Sequence, residues 1–236
     1  MSKRHDVTPT GEPGGTAEIA DFVRQMRQLA PAAAGRRGRL VFAMDATASR
    51  RPSWDRACTV QGEMFMEADK LGGLDVQLVF YRGFHECKAS RWVGRSAALV
   101  QLMTRVDCRA GRTQIGRVLR HAAKEARARP VQALVFIGDC AEEPIDTLAD
   151  LAGELGILGV RAFMFQEGRD AAASAAFAEI ARLTRGAHCR FDAGSPDELR
   201  ALLGAVAAYA SGGMPALESM RERHAGARKL LSSRLA

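Results

Sequence analysis

Three short segments of the chain carry side chains that could hold a divalent cation. Asp45, Thr47 and Ser49 alternate along the first segment, Thr113 lies in the second, and Asp139 lies in the third. Mg²⁺ prefers about six oxygen ligands and keeps several waters, so hydroxyl and carboxylate oxygens suit it. Because Asp45, Thr47 and Ser49 are each two residues apart, one loop can turn their side chains around a single ion. We therefore predict a site for Mg²⁺, or for Mn²⁺, with the hydroxyls as direct ligands. The carboxylates would bind the ion directly or hold its waters.

A cation held by only two carboxylates would remain strongly electrophilic and could accept an Asp or Glu from a partner protein. Arg112 directly precedes Thr113 and could contact the same carboxylate. These residues predict a binding site rather than an enzyme, and no catalytic residue is assigned.

Each of the three segments adjoins an element that could position it. Continuous apolar runs at 40–44 and 133–137 predict buried parallel strands that end beside Asp45 and Asp139. Apolar residues at helical spacing over 115–126 predict a helix directly after the Thr113 segment. Ligand sites in open parallel sheets lie beyond the carboxyl ends of the strands, so the three segments should meet there.

The rest of the chain continues this alternation of strands and helices. Further strands are predicted at 76–81, 160–165 and 188–191, a strand antiparallel to the second at 87–93, and helices at 52–71, 144–155, 171–183 and 196–208. The pattern predicts an α/β, Rossmann-like, doubly wound fold. Its central sheet would be mostly parallel with one antiparallel edge strand, and helices would cover both faces.

We divide the chain into one domain and two extensions. Residues 1–37 are predicted to be a disordered segment followed by a short amphipathic helix at 17–30, and residues 38–208 form the domain. Residues 209–236 carry apolar residues near helical spacing and are predicted to be a helical extension. That extension would pack on the domain or bind a partner.

Composition indicates a folded protein of a reducing compartment. Hydrophobic residues make up 47% of the 236 residues, which excludes a wholly disordered chain. The five cysteines include no Cys-x-x-Cys pair, so a zinc ribbon is not indicated. The N-terminus lacks the pattern of a signal peptide, and the longest apolar run is about half a membrane span. We predict a cytoplasmic protein with no membrane partner.

The net charge of +7 conceals two opposed regions. Residues 91–129 hold ten basic and two acidic residues, whereas residues 138–170 hold eight acidic and two basic ones. Two interpretations remain open. The regions could be the solvated faces of two helices, or they could form a polarised surface that steers an acidic partner towards the metal site.

The five candidate ligands, in their order along the chain, resemble the metal-ion-dependent adhesion site of von Willebrand factor type A domains. That motif is Asp-x-Ser-x-Ser, a distant Thr and a later Asp, and this chain departs from it only by Thr47 in place of the first Ser. The resemblance covers roughly residues 38–208 and includes the order of strands and helices. It implies a module that binds proteins, and bacterial cytosolic members suggest an AAA+ ATPase or another assembly complex as partner.

Two alternative functions have partial support in the sequence. Asp45 with Thr47 is also similar to the nucleophile motif of haloacid-dehalogenase-like phosphatases, and Asp139 with Glu142 and Glu143 resembles their later Mg²⁺-binding motif. However, Thr47 cannot act as a carboxylate acid or base. Those phosphatases also place a lysine before the later motif, where this chain has Arg127, Arg129 and Pro130. An RNA-binding accessory role ranks third. The chain has no aromatic RNA-recognition motif, so nucleic acid is not the expected partner.

Overall fold

The computed structural model describes residues 37–55, 58, 59, 62, 65, 74–191, 203–207 and 210. The predicted helix at 17–30 and the C-terminal extension lie outside the described residues. Most of the predicted helices at 52–71 and 196–208 also lie outside them. No helix within the described ranges is long and apolar enough to cross a membrane.

Six strands form one sheet in the order β3-β2-β1-β4-β5-β6. Their bounds are β1 Gly38–Asp45, β2 Leu74–Arg82, β3 Glu86–Ala89, β4 Ala133–Gly138, β5 Arg161–Glu167 and β6 Ala187–Phe191. All neighbouring strands are parallel except β2 and β3. The predicted fold class is therefore confirmed, including the single antiparallel edge strand.

Four α-helices are described in full, and the chain is also helical at two partly described places. The helices are α1 Ser96–Met103, α2 Ile115–Ala128, α3 Ile145–Ile157 and α4 Ala171–Leu183. A short 3₁₀ turn over Ala48–Arg50 leads into helical residues at 51–55, and residues 203–207 are helical as well. The predicted positions of α2, α3 and α4 hold to within two residues at each end.

One helix was not predicted, and one predicted strand was too long. Helix α1 was not predicted, because six of its eight residues are apolar and show no amphipathic period. The strand expected at 87–93 ends at Ala89. The hydroxyl of Ser90 accepts the Leu78 amide at 3.1 Å, so a side chain replaces the next backbone partner of the ladder. Only Val93 bridges back to the sheet beyond that point, opposite Val76.

The sheet separates two apolar cores, because alternate side chains of each strand point to opposite faces. Val41 and Ala43 of β1 pack in the core beneath α2, α3 and α4. Leu40, Phe42 and Met44 pack in the core that includes residues of α1, of 203–207 and residue 210. Both faces of β1 are thus buried, as its continuous apolar run predicts.

We expect His121 on α2 to make the stability of the domain depend on pH. Its Nε2 lies 2.8 Å from Oε1 of Gln77, and burial lowers its pKa below the ordinary value of 6.5. The unfolded chain therefore binds more protons than the native state just below pH 6.5, so the free energy of unfolding should fall as the pH drops through that range. The free energy of unfolding, measured with urea at several pH values between 7.5 and 5, should depend less steeply on pH in His121→Gln than in the wild type. The exposed His85→Gln variant is the control and should keep the pH dependence of the wild type.

Candidate functional site

Three acidic side chains lie at the carboxyl ends of neighbouring parallel strands. Asp45 ends β1, Asp139 directly follows β4, and Glu167 ends β5. Strand β4 pairs with both β1 and β5, so these ends share one edge of the sheet. Gly138 allows the close approach, since a Cβ there would lie 2.8 Å from the ring of Phe136 and 3.4 Å from the Cβ of Asp45.

The first predicted segment folds around the carboxylate of Asp45. Its Oδ1 accepts the amide of Thr47 at 2.7 Å, and its Oδ2 accepts the hydroxyl of Tyr81 at 2.9 Å. The hydroxyls of Thr47 and Ser49 lie 3.0 Å apart. Asp45 is fully buried, and this burial raises the pKa of its carboxyl. A fixed cation beside it would remove that cost of burying the charge.

The second and third segments are joined by reciprocal hydrogen bonds. The amide of Thr113 donates to Oε2 of Glu142, and the amide of Glu142 donates to the hydroxyl of Thr113, both at 2.9 Å. The carboxylate of Glu143 accepts the amides of Ile115 and Gly116 at the start of α2, where the helix dipole favours negative charge. These bonds fix Thr113 next to the loop that carries Asp139.

The first segment is also tied to the chain that leads to Thr113. The amide of Arg109 donates to the carbonyl of Ala46 at 3.0 Å, and Arg109 forms a parallel bridge with Thr47. The guanidinium of Arg51 donates to the carbonyl of Cys108 at 3.1 Å. The structure thus brings the loops of all five predicted ligands to one end of the sheet. Arg112 lies on the exposed surface beside Thr113.

One carboxylate oxygen at this edge is left without a hydrogen bond. Oδ1 of Asp139 is buried and has no partner among the described residues. A buried carboxylate oxygen in this state costs free energy unless a cation or water completes it. Within the described residues, no three or more His, Cys, Asp or Glu side chains are placed so that they alone could hold a metal ion. Any metal would therefore depend on the hydroxyls of Thr47, Ser49 and Thr113.

Sequence reasoning missed Arg50, which is only 1% exposed. Its guanidinium forms an ion pair with Glu167, and the same Glu167 carboxylate accepts the hydroxyl of Ser53 at 3.0 Å. Desolvation lowers the pKa of Arg50, while the nearby carboxylates of Asp139 and Asp45 raise it. An arginine directly after Ser49 gives no sign of burial. The only available clue was Glu167, an acid ending a strand at the same edge.

The charges at this edge leave room for a divalent cation. Arg50 pairs with Glu167 and is also attracted to Asp139 and Asp45, so three carboxylates face one guanidinium and leave an excess of two negative charges when all are ionised. The residues present therefore fit Mg²⁺ or Mn²⁺ in charge and in donor type.

The parts of the two opposed charge regions that α2 and α3 carry lie side by side on one face of the sheet. These helices contact each other, and Arg127 of α2 forms an ion pair with Glu154 of α3. Most of their other charged side chains are exposed. The pattern is thus in part the solvated surface of two neighbouring helices.

The comparisons with known proteins agree with this architecture. No family model matches the chain, and no curated protein matches it. Among solved structures, the von Willebrand factor A domain of SpRpn10 aligns with a TM-score of 0.52 at 12% identity, covering 66% of this chain and 88% of that one. The chain has a von Willebrand factor A-like fold. This likeness shows the fold alone, because the identity is low.

Two further structures share the von Willebrand factor A-like architecture to a similar degree. An aerotolerance-related membrane protein from Bacteroides fragilis, solved with multiple mutations to serines, gives a TM-score of 0.54 at 14% identity, with 70% of this chain and 98% of that chain covered. A mutant of the PilB minor pilin from Streptococcus sanguinis gives a TM-score of 0.58 at 10% identity, with 75% of this chain covered. The match spans 62% of the pilin chain, which is less than two thirds of its length.

Proposed function

We propose that this domain is a protein-interaction module rather than an enzyme. Asp45, Thr47, Ser49, Thr113 and Asp139 would hold Mg²⁺, or Mn²⁺, at the carboxyl edge of the sheet. When bound, the cation would supply an electrophilic position for the carboxylate of an Asp or Glu on a partner protein. The observation that carries this proposal is the buried Oδ1 of Asp139, which has no partner among the described residues at an edge with two excess negative charges.

The chain's own residues would hold the site in place before any partner arrives. Tyr81 and the Thr47 amide fix the orientation of the Asp45 carboxylate. The Glu142 carboxylate accepts the Thr113 amide, and the Glu142 amide donates to the Thr113 hydroxyl. The hydroxyl oxygen therefore keeps its second lone pair available. Ser49 is exposed, so it lies where a partner could reach. Arg112 would contact the incoming carboxylate from the side.

The low-identity neighbours support an interaction role in general terms only. The named domain of SpRpn10, the human COPII-coat protein Sec24c and the pilin share the fold. An AAA+ ATPase or another assembly complex in the cytoplasm remains our proposed partner class. No observation of the structure favours phosphatase activity, since Glu142 and Glu143 bind backbone amides.

A pull-down from an extract of the source organism tests the proposal. Wild-type protein with Mg²⁺ should retain a partner that is lost with a chelator and lost again with Asp45→Ala. Because Asp45 is buried, Ser49→Ala serves as a second variant at an exposed position that does not disturb the core. A partner list that is unchanged by the chelator and by both substitutions would overturn the proposal.

A further inference from the structure

A large aromatic side chain is exposed close to the candidate site. Phe84, in the turn between β2 and β3, is 64% exposed. The other large exposed hydrophobic residues in the described part of the chain, Ile145 and Ile157, lie at the two ends of α3. Single exposed apolar residues are common, so Phe84 matters only if its surroundings are organised for binding.

The turn that carries Phe84 is held rigidly by the segment that carries Thr113. The carbonyl of Gly83 accepts the Arg112 amide at 3.1 Å and the Gln114 side-chain amide at 3.2 Å. Gly111 packs so closely that a Cβ there would lie 2.0 Å from the Gly83 carbonyl oxygen. Gly83 itself has a φ of +60°, which favours glycine. Because the backbone of this turn is already held in place, a partner that covers Phe84 would have only its side chain to order, which is typical of a binding anchor.

Basic side chains extend from this turn along α2. Arg117 donates to the carbonyl of His85, the residue after Phe84 in the turn, at 2.7 Å. Arg120 and Lys124 follow at helical spacing and are exposed, and Arg112 is exposed next to the turn. None of these four forms an ion pair with an acidic side chain in the described part of the chain. From Arg117 to Lys124 the helix rises about 10 Å.

We propose that Phe84, Arg112, Arg117, Arg120 and Lys124 form a docking surface for an acidic segment of a partner protein. The occupant would place an apolar side chain against Phe84 and carboxylates along α2 over about 10 Å. Charge complementarity favours an acidic ligand, since one apolar contact is followed along α2 by cations that have no acidic partner among the described residues. A single-stranded nucleic acid is less well matched, because bases stack on successive aromatic side chains and this surface offers one.

This docking surface goes beyond the proposed function, because it requires no metal. It adjoins Thr113, so one partner could occupy both places, but its binding free energy would come from apolar contact and charge. Binding should therefore weaken as salt rises and should persist when divalent cations are removed.

The test uses fluorescence anisotropy with the full chain and a labelled 12-residue peptide in which Glu residues flank a central Leu-Phe pair. Phe84→Ala and the double charge reversal Arg120→Glu with Lys124→Glu should each weaken binding by about tenfold. Matched controls are Ile157→Ala and Arg95→Glu. Ile157 is 90% exposed, and Arg95 precedes α1 on the opposite face of the sheet. Both controls should bind as the wild type does, with or without a chelator.

Three results would overturn this inference. The first is no saturable binding of the peptide to the wild-type chain. The second is binding that the chelator abolishes but Phe84→Ala leaves unchanged, which would support the metal site and remove the docking surface. The third is a 12-nucleotide oligouridine that binds more tightly than the peptide and loses affinity in the same variants, which would assign the surface to RNA.

Discussion

Replacing Arg50 by methionine should lower the free energy of unfolding by about 3 kcal/mol, the loss expected when one partner of a buried ion pair is removed. Methionine fills much of the same space but leaves the Glu167 carboxylate, which is only 15% exposed, without its cation. The same change removes a positive charge that interacts with Asp45 and Asp139. Urea unfolding at pH 7 in the presence of a chelator measures the effect without a contribution from bound metal.

The matched double variant separates charge from packing. Arg50→Met with Glu167→Gln should recover much of the lost stability, because no unpaired charge then remains in the pair. Arg182→Met breaks an exposed ion pair with Glu179 on α4 and should leave the unfolding midpoint at the wild-type value. If Arg50→Met were as stable as the wild type, the buried guanidinium would not organise this edge of the sheet.

Asp139→Asn should abolish the stabilisation of the domain by Mg²⁺ while leaving the metal-free fold intact. Oδ1 of Asp139 makes no hydrogen bond within the described residues, so the isosteric amide loses no protein contact there. In the wild type, Mg²⁺ at a concentration one hundred times its Kd should add about 2.7 kcal/mol to the free energy of unfolding. For a domain of this size that corresponds to a rise in Tm of about 5–10 °C.

Thermal unfolding with and without Mg²⁺ measures this difference. Asp146→Asn, at an exposed position in the first turn of α3, is the control and should keep the wild-type rise in Tm. An equal rise in Asp139→Asn and in the wild type would place any bound metal elsewhere.

The fold class, and the meeting of the Asp45, Thr113 and Asp139 loops at one edge of the sheet, could be predicted because they depend on strong local patterns. The apolar runs of β1 and β4 are buried on both faces, and each ends at a point where Asp45 or Asp139 follows. Parallel strands bring such ends together whatever the details of the loops. The helical spacing of α2 is equally direct, because five of its six buried residues belong to the core beneath the sheet.

The features that could not be predicted depend on side chains far apart in sequence. Arg50 meets Glu167 across more than a hundred residues, and nothing in its neighbours indicates that it is buried. The exchange of hydrogen bonds between Thr113 and Glu142 requires two loops to be positioned by the finished sheet. The early end of β3 depends on one hydroxyl, that of Ser90, which takes a backbone amide. Composition and periodicity are insensitive to such pairings.

The most direct test of the central claim is a calorimetric titration of the metal-free wild-type protein with Mg²⁺, repeated with Mn²⁺ and with Asp45→Ala. Asp45 is the fully buried carboxylate around which the first segment folds. We predict saturable binding of one ion per chain to the wild type and no binding to the variant, with circular dichroism confirming that the variant is folded. An absence of binding to the wild type, or binding that Asp45→Ala leaves unchanged, would contradict the account.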